Sequence, residues 1–173
     1  MFLAEVPLGD ILLVSDYGKG VCTRGLLESV GNRAREAGIP ILVDPARSRN
    51  WSEYGGVSLI KAKWAEATEA ASCEHPRPLS LARKLSDAHD CNVVITLGRH
   101  GMVCAERNGA TWHLSAPRVE VRDVCGAGDT VLAAIGAGIL SEPSIRRACG
   151  FAAIAAGRQV GQVGVSSVLI RSR

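Results

Sequence analysis

Asp123-Val124-Cys125-Gly126-Ala127-Gly128-Asp129-Thr130, followed by the small and apolar run from Val131 to Leu140, decides how this chain is read. Two glycines flank an alanine directly before a helix-forming stretch. With no Cβ at two of these three positions, the backbone amides of Gly126 to Asp129 can converge at a helix N-terminus, where the peptide dipoles favour an anion. Asp129 sits in the same turn. A carboxylate facing a phosphate cradle repels its ligand unless it has a task there, such as taking a proton from an attacking hydroxyl. By itself the segment also reads as an ordinary helix start, with Asp129 favoured by the dipole and the glycines serving close packing.

Upstream, Ile11 to Val14 is a short apolar run ending at Ser15-Asp16, the pattern of a buried parallel strand. Thr23 is placed to cap the next helix, on which Leu26, Leu27, Val30, Ala34 and Ala37 share a face before Gly38 stops it. Pro40 to Val43 predicts a second strand closing at Asp44-Pro45, and Val57 to Ile60 a third. Strand, helix, strand order predicts a parallel sheet with ligand groups just past the strand C-termini, where Asp16 and Asp44 stand. Turn-making or helix capping is the other reading of both aspartates.

Further along, Lys61 to Ala71 reads as a helix with Trp64 and Ala67 inward, and Leu79 to Ala88 as a helix feeding the strand Val93 to Thr96. Thr96-Leu97-Gly98 and His100-Gly101 make a permissive turn. Asn108-Gly109, between Met102 to Glu106 and Thr111 to Leu114, is a strong hairpin signal that appends an antiparallel piece to the sheet. Val119 to Val121 is expected as a short strand leading to Asp123. After the glycine-rich helix, Ser144 to Val160 predicts another, with Ala148, Phe151, Ala152, Ala155 and Ala156 packing closely, and Gly161 to Ser167 a loop.

The 173 residues suffice for one domain with a real core, and 47% hydrophobic with 21% charged residues argues against disorder. Twenty basic and 17 acidic residues are scattered in both signs for a net charge of +3, so no basic stripe points to nucleic acid or a membrane. The six cysteines (Cys22, Cys73, Cys91, Cys104, Cys125 and Cys149) form no Cys-x-x-Cys pair and meet no histidine cluster, which argues against a thiolate metal site and for a reducing compartment. The N-terminal apolar stretch is broken by Glu5 and Asp10, and Thr130 to Leu140 is too short to span a bilayer. A cytoplasmic location is expected.

The eight opening residues resemble the second signature of the ribokinase-like (PfkB) carbohydrate kinases, Asp-Thr/Val-x-Gly-Ala-Gly-Asp-Thr, at all but its variable positions. Ser15-Asp16-Tyr17-Gly18-Lys19-Gly20, Ile41 to Pro45, Thr96 to Met102 and Val163 to Val168 look like the heptose-7-phosphate kinase branch of that family, in family order. The resemblance implies a ribokinase-like α/β fold, a mostly parallel sheet flanked by helices, with an antiparallel hairpin. It implies ATP and Mg²⁺ as cofactors, Asp129 as catalytic base, and Gly126, Ala127 and Gly128 as an anion hole. By the same resemblance Thr96, Gly98, Gly101, Gly161, Gly164 and Ser166 would border the nucleotide, Asp16, Lys19 and Asp44 the substrate, and Asp123 a monovalent cation.

Three departures stand out. The family usually carries Asn-x-x-Glu, its Glu holding Mg²⁺ through water; this chain keeps Glu66 but has Lys63 for the amide, a cation that can pair with Glu66 or touch phosphate. Cys125 stands where many members have Thr. The sugar-recognition aspartate, Gly-Gly motif and β-sheet lid of the family's N-terminal half match nothing in this sequence. Residues 1–173 are therefore expected to be a single domain, the C-terminal half of such a kinase. Its sheet would keep an apolar edge that invites self-association or the N-terminal half as partner. The expected activity is ATP-dependent phosphorylation of a sugar or sugar phosphate hydroxyl. The alternatives are a truncated nucleotide-binding remnant without turnover and a purely structural α/β domain. An oxidoreductase is disfavoured because no Gly-x-Gly-x-x-Gly opens the first crossover.

Overall fold

Successive residues of a strand point to opposite faces, so a strand buried on both sides feeds two separate cores. That arrangement organises the computed structural model, which describes residues 9–74 and 76–164. Six strands lie in sequence order across one sheet: β1 (Leu12–Ser15), β2 (Ile41–Asp44), β3 (Leu59–Lys63), β4 (Asn92–Thr96), β5 (Met102–Ala105) and β6 (Thr111–Leu114). The first four are mutually parallel, and β5 and β6 run antiparallel to their neighbours.

Ile41, Val43, Ile60, Ala62, Val93 and Ile95 face a core closed by α1 (Arg24–Glu36), α2 (Trp64–Ala70) and α3 (Pro78–His89). Leu42, Leu59 and Val94 face the other, closed by α4 (Ala127–Ser141) and α5 (Ile145–Val160). Those two helices pack closely because their faces are small: a Cβ on Gly138 would lie 2.7 Å from Ala148 Cα.

Local chemistry sets most boundaries where the sequence predicts them. Thr23 caps α1, its side chain accepting from the Leu26 amide, and Gly38 follows the helix at φ 68°. The β5–β6 hairpin turns at Asn108-Gly109. Ser144 is the cap of α5, accepting from the Arg147 amide at 3.4 Å.

Three expectations change. Lys61, Ala62 and Lys63 belong to β3 and not to a helix; β4 continues alongside them through Val94, Ile95 and Thr96, and α2 begins at Trp64. Val119 to Val121 forms no strand, since no strand lies beside it; the chain there runs against α5, where the amides of Arg122 and Asp123 both donate to Val160 O. Ala37, expected on the inner face of α1, is exposed.

Candidate active site

The same alternation that builds the cores assembles the site. Leu13, Leu42, Leu59 and Val94 point toward α4, so the residues two further along, Ser15, Asp44, Lys61 and Thr96, emerge on that face at the C-terminal ends of their strands. The N-terminus of α4 arrives above them. Gly126 adopts φ 73°, a left-handed conformation that turns the chain into the helix, and Ala127, Gly128 and Asp129 form its first turn; the Ala127 amide donates to Val124 O at 3.3 Å, whereas those of Gly128 and Asp129 meet no partner among the described residues.

Lys61 is fully buried and ion-paired to Asp44. A Cβ on Gly128 would lie 3.4 Å from Lys61 Nζ, 3.8 Å from Lys63 Cε and 3.9 Å from Asp44 Oδ2. Two lysines and a carboxylate thus crowd the first turn of α4. Burial pushes the Asp44 carboxyl up despite the pull of the Lys61 ammonium. Asp129 is exposed, and its two oxygens accept from hydroxyls at the end of β1: Oδ1 from Ser15 at 2.9 Å and Oδ2 from Tyr17 at 2.8 Å.

Glu66 stands in the first turn of α2, where one oxygen accepts from the Lys63 amide at 2.7 Å and the other lies 4.0 Å from Lys63 Nζ. The described residues hold no group of three His, Cys, Asp or Glu side chains able to enclose a metal. A divalent ion here would have to draw most of its oxygens from a bound phosphate and water, and Glu66 is a carboxylate that fits such an ion's outer surroundings.

A separate brace sits behind the signature. Asp123 accepts from the amides of Cys125 and Gly164, each at 2.9 Å, and these two donors hold its carboxyl below the usual range. Gln159, fully buried on α5, donates to Cys125 O at 3.2 Å and Gly164 O at 3.0 Å. Two loops far apart in sequence are thereby tied together.

The remaining residues of interest scatter. Asp16 is buried and turned away from Asp129: it accepts from the Gly18 amide at 2.8 Å and from Tyr54 OH and Arg49, both at 2.7 Å. Burial works to raise its carboxyl, but these three donors outweigh it and leave the group lowered. Lys19 is exposed in the loop after β1. Thr96 closes β4 with its hydroxyl donating to Ala62 O, Gly98 and Gly101 bracket the following turn, and Gly161 ends α5. Ser166 lies outside the described residues.

Sequence reasoning missed Lys61, the Ser15 and Tyr17 hydroxyls and the Gln159 tie. The signal for Lys61 was its two-residue spacing from Leu59 and Lys63, hidden by assigning the segment to a helix.

Residues 3–171 match the model of the pfkB family of carbohydrate kinases. The bifunctional protein HldE of Bradyrhizobium diazoefficiens is 37% identical over 170 residues, covering 96% of this chain and 34% of its own length. The protein of the same name from Geobacter metallireducens is 39% identical over 163 residues, covering 92% and 33%. Among solved structures, phosphofructokinase-2 from Escherichia coli in complex with potassium superposes with a TM-score of 0.78 at 20% identity, covering 89% of this chain and 52% of that one. Arabidopsis thaliana ribokinase complexed with ribose and ATP gives 0.78 at 20% identity, covering 90% and 51%. The chain spans about a third of the length of these curated relatives and about half of the solved neighbours.

Proposed function

The chain belongs to the pfkB family of carbohydrate kinases, and on that footing we propose that it is the nucleotide-side, base-bearing C-terminal half of a kinase that moves the γ-phosphoryl group of ATP to a hydroxyl of a sugar or sugar phosphate, with a heptose 7-phosphate as the favoured acceptor class. The observation that carries this reading is the position of Asp129 in the first turn of α4, beside free helix amides and two lysines.

In the proposed step the acceptor hydroxyl gives its proton to Asp129 while its oxygen bonds to the γ-phosphorus. The bond from that phosphorus to the bridging oxygen breaks, and ADP leaves with the electron pair. Charge on the transferring oxygens falls on the amides around Gly126, Ala127 and Gly128, with Lys63 alongside. Mg²⁺, when bound with the nucleotide, neutralises phosphate charge; Glu66 is the residue that would face its waters. Thr96, Gly98, Gly101, Gly161, Gly164 and Ser166 would border the nucleotide, and Asp123 a monovalent cation. Lys19 and Asp44 would stand near the acceptor, Asp44 by holding Lys61, and Asp16 would support the loop that carries Tyr17. The acceptor pocket itself is assigned to an N-terminal half outside this chain. A kinase drawing on ATP belongs in the cytoplasm.

The test is ADP release in the presence of heptose 7-phosphate and other sugar phosphates, with the chain supplemented by the N-terminal half of a longer relative. Turnover abolished by Asp129→Asn supports the kinase. Nucleotide binding without Asp129-dependent turnover would instead support a binding remnant.

A further inference from the structure

Asp129 does not stand bare at the head of α4. Ser15 Oγ and Tyr17 OH each donate to a different oxygen of its carboxylate, at 2.9 and 2.8 Å. Ser15 is fixed by the sheet, where it pairs with Asp44 at the end of β1. Tyr17 is fixed differently. The residue before it, Asp16, accepts from Arg49, from Tyr54 and from the amide of Gly18, the residue after it, so the backbone on both sides of Tyr17 is pinned. Its ring, however, is 68% exposed. A tyrosine that gains so little from burial has its hydroxyl contact as its main interaction.

Resting on the kinase reading above, we infer that Tyr17 is a positioning residue for Asp129: with Ser15 it clamps the two carboxylate oxygens and fixes the plane of the base while leaving lone pairs for the acceptor hydroxyl. A carboxylate offers about four acceptor sites, and the clamp uses two of them. In phosphoryl transfer a loose transition state asks for little nucleophilic push, and alignment of the attacking hydroxyl matters more. The Asp129 carboxylate in turn keeps Tyr17 protonated, raising its hydroxyl above the ordinary tyrosine value, so the donor persists across the working pH range. Asp44 from β2 also acts on Tyr17, Lys61 and Lys63 from β3 lie beside the adjoining Gly128, and all three are present equally in every variant below.

The chain contains two tyrosines, which makes the clamp directly readable. Tyr54 is buried with its hydroxyl on Asp16, and burial drives it well beyond the usual range. Tyrosinate absorbance followed from roughly pH 9 to 12 therefore reports Tyr17. The wild-type midpoint should lie above about 10 and fall toward about 10 in Asp129→Asn; coincident midpoints overturn the clamp. Carboxyl-carbon NMR at neutral pH reads it from the other side, because losing the Tyr17 donor in Tyr17→Phe should move the Asp129 carboxyl resonance, and an unmoved resonance overturns the clamp as well. In the supplemented turnover assay, Tyr17→Phe should lower kcat about tenfold, the equivalent of one net hydrogen bond, with the KM for ATP little changed. Asp129-dependent turnover that is identical in Tyr17→Phe overturns the positioning role. Absence of Asp129-dependent turnover in the supplemented wild type, with the Tyr17 titration shift and the Asp129 carboxyl response both seen, overturns the kinase reading and leaves the clamp standing.

Discussion

Lys61 is fully buried and ion-paired to Asp44 directly beneath the first turn of α4, its nitrogen 3.4 Å from where a side chain on Gly128 would begin. A buried ammonium is tolerated only while its partner remains. Asp44→Ala leaves the Lys61 charge uncompensated and should cost about 3–5 kcal/mol of stability in denaturant titration. Adding Lys61→Met to that variant removes the stranded charge and should recover most of the loss. A double variant no more stable than Asp44→Ala alone would show that the pair's worth lies in packing and not in charge.

How far this site is legible in sequence depends on how local its causes are. Thr23, Gly38 and Asn108-Gly109 act within a few residues of themselves, and the elements they bound appear as expected. The first turn of α4 is equally local, since Gly126 to Asp129 lie together in sequence. Lys61 is different: a lysine in the middle of a short segment reads as a solvated helix face, and only the neighbouring strands and Asp44, 17 residues away, make it a buried strand residue. Val119 to Val121 fails for the converse reason. Its β-branched pattern suits a strand, but a strand needs a hydrogen-bonding neighbour, and α5 occupies that place. The Ser15 and Tyr17 contacts with Asp129 cross more than a hundred residues, a distance at which no local pattern carries information.

Asp16 should make the fold acid-sensitive. Its carboxyl is held low in the folded chain by Gly18, Tyr54 and Arg49 despite burial, so the stability it contributes is present above the unfolded value of about 3.9 and lost as pH falls through the folded value. Asp16→Asn should be less stable than wild type at neutral pH, with the gap closing in acid below about pH 3.9. A gap that stays constant from neutral pH into that acid range would mean the charge of Asp16 contributes nothing.

Gln159 ties the Cys125 and Gly164 loops, yet its own Oε1 is buried without a partner among the described residues. Gln159→Leu removes two hydrogen bonds and one unsatisfied acceptor together, so global stability should shift by no more than about 1–2 kcal/mol. The loops proposed to border the nucleotide lose their tie, and ADP affinity measured by calorimetry should fall roughly three- to tenfold, about one net hydrogen bond. Unchanged affinity alongside unchanged stability would show that the brace serves neither.

Lys63 should replace part of the metal's charge. Its side chain is 65% exposed, its nearest carboxylate oxygen on Glu66 is 4.0 Å away, and its Cε stands close to the Gly128 position. An ammonium there attracts phosphate without Mg²⁺. Lys63→Asn should therefore make ATP binding more dependent on Mg²⁺, weakening it mainly in the metal-free titration. Equal loss with and without Mg²⁺ would mean that Lys63 contacts phosphate independently of the metal, and no loss in either would place it outside the site.

The final expectation couples the base to the half of the fold found in the longer relatives. If Asp129 accepts the acceptor proton, Asp129→Asn in the supplemented enzyme should cut kcat by about 10²–10⁴, the usual loss for a general base. Nucleotide affinity should hold or improve, because a negative charge beside phosphate is gone. The 173 residues alone present a different case. Asp129 lies exposed at the end of the sheet, and on the proposed reading the pocket that would hold a sugar in line with the γ-phosphorus belongs to the N-terminal half. Orientation is worth about 7–11 kcal/mol in well-aligned systems, and an acceptor diffusing freely forgoes most of it. Transfer by the chain alone should stay near background and rise when the N-terminal half is supplied. Robust Asp129-dependent turnover without that half would mean that residues of this chain already build the acceptor pocket, and the division of labour proposed here would have to be abandoned.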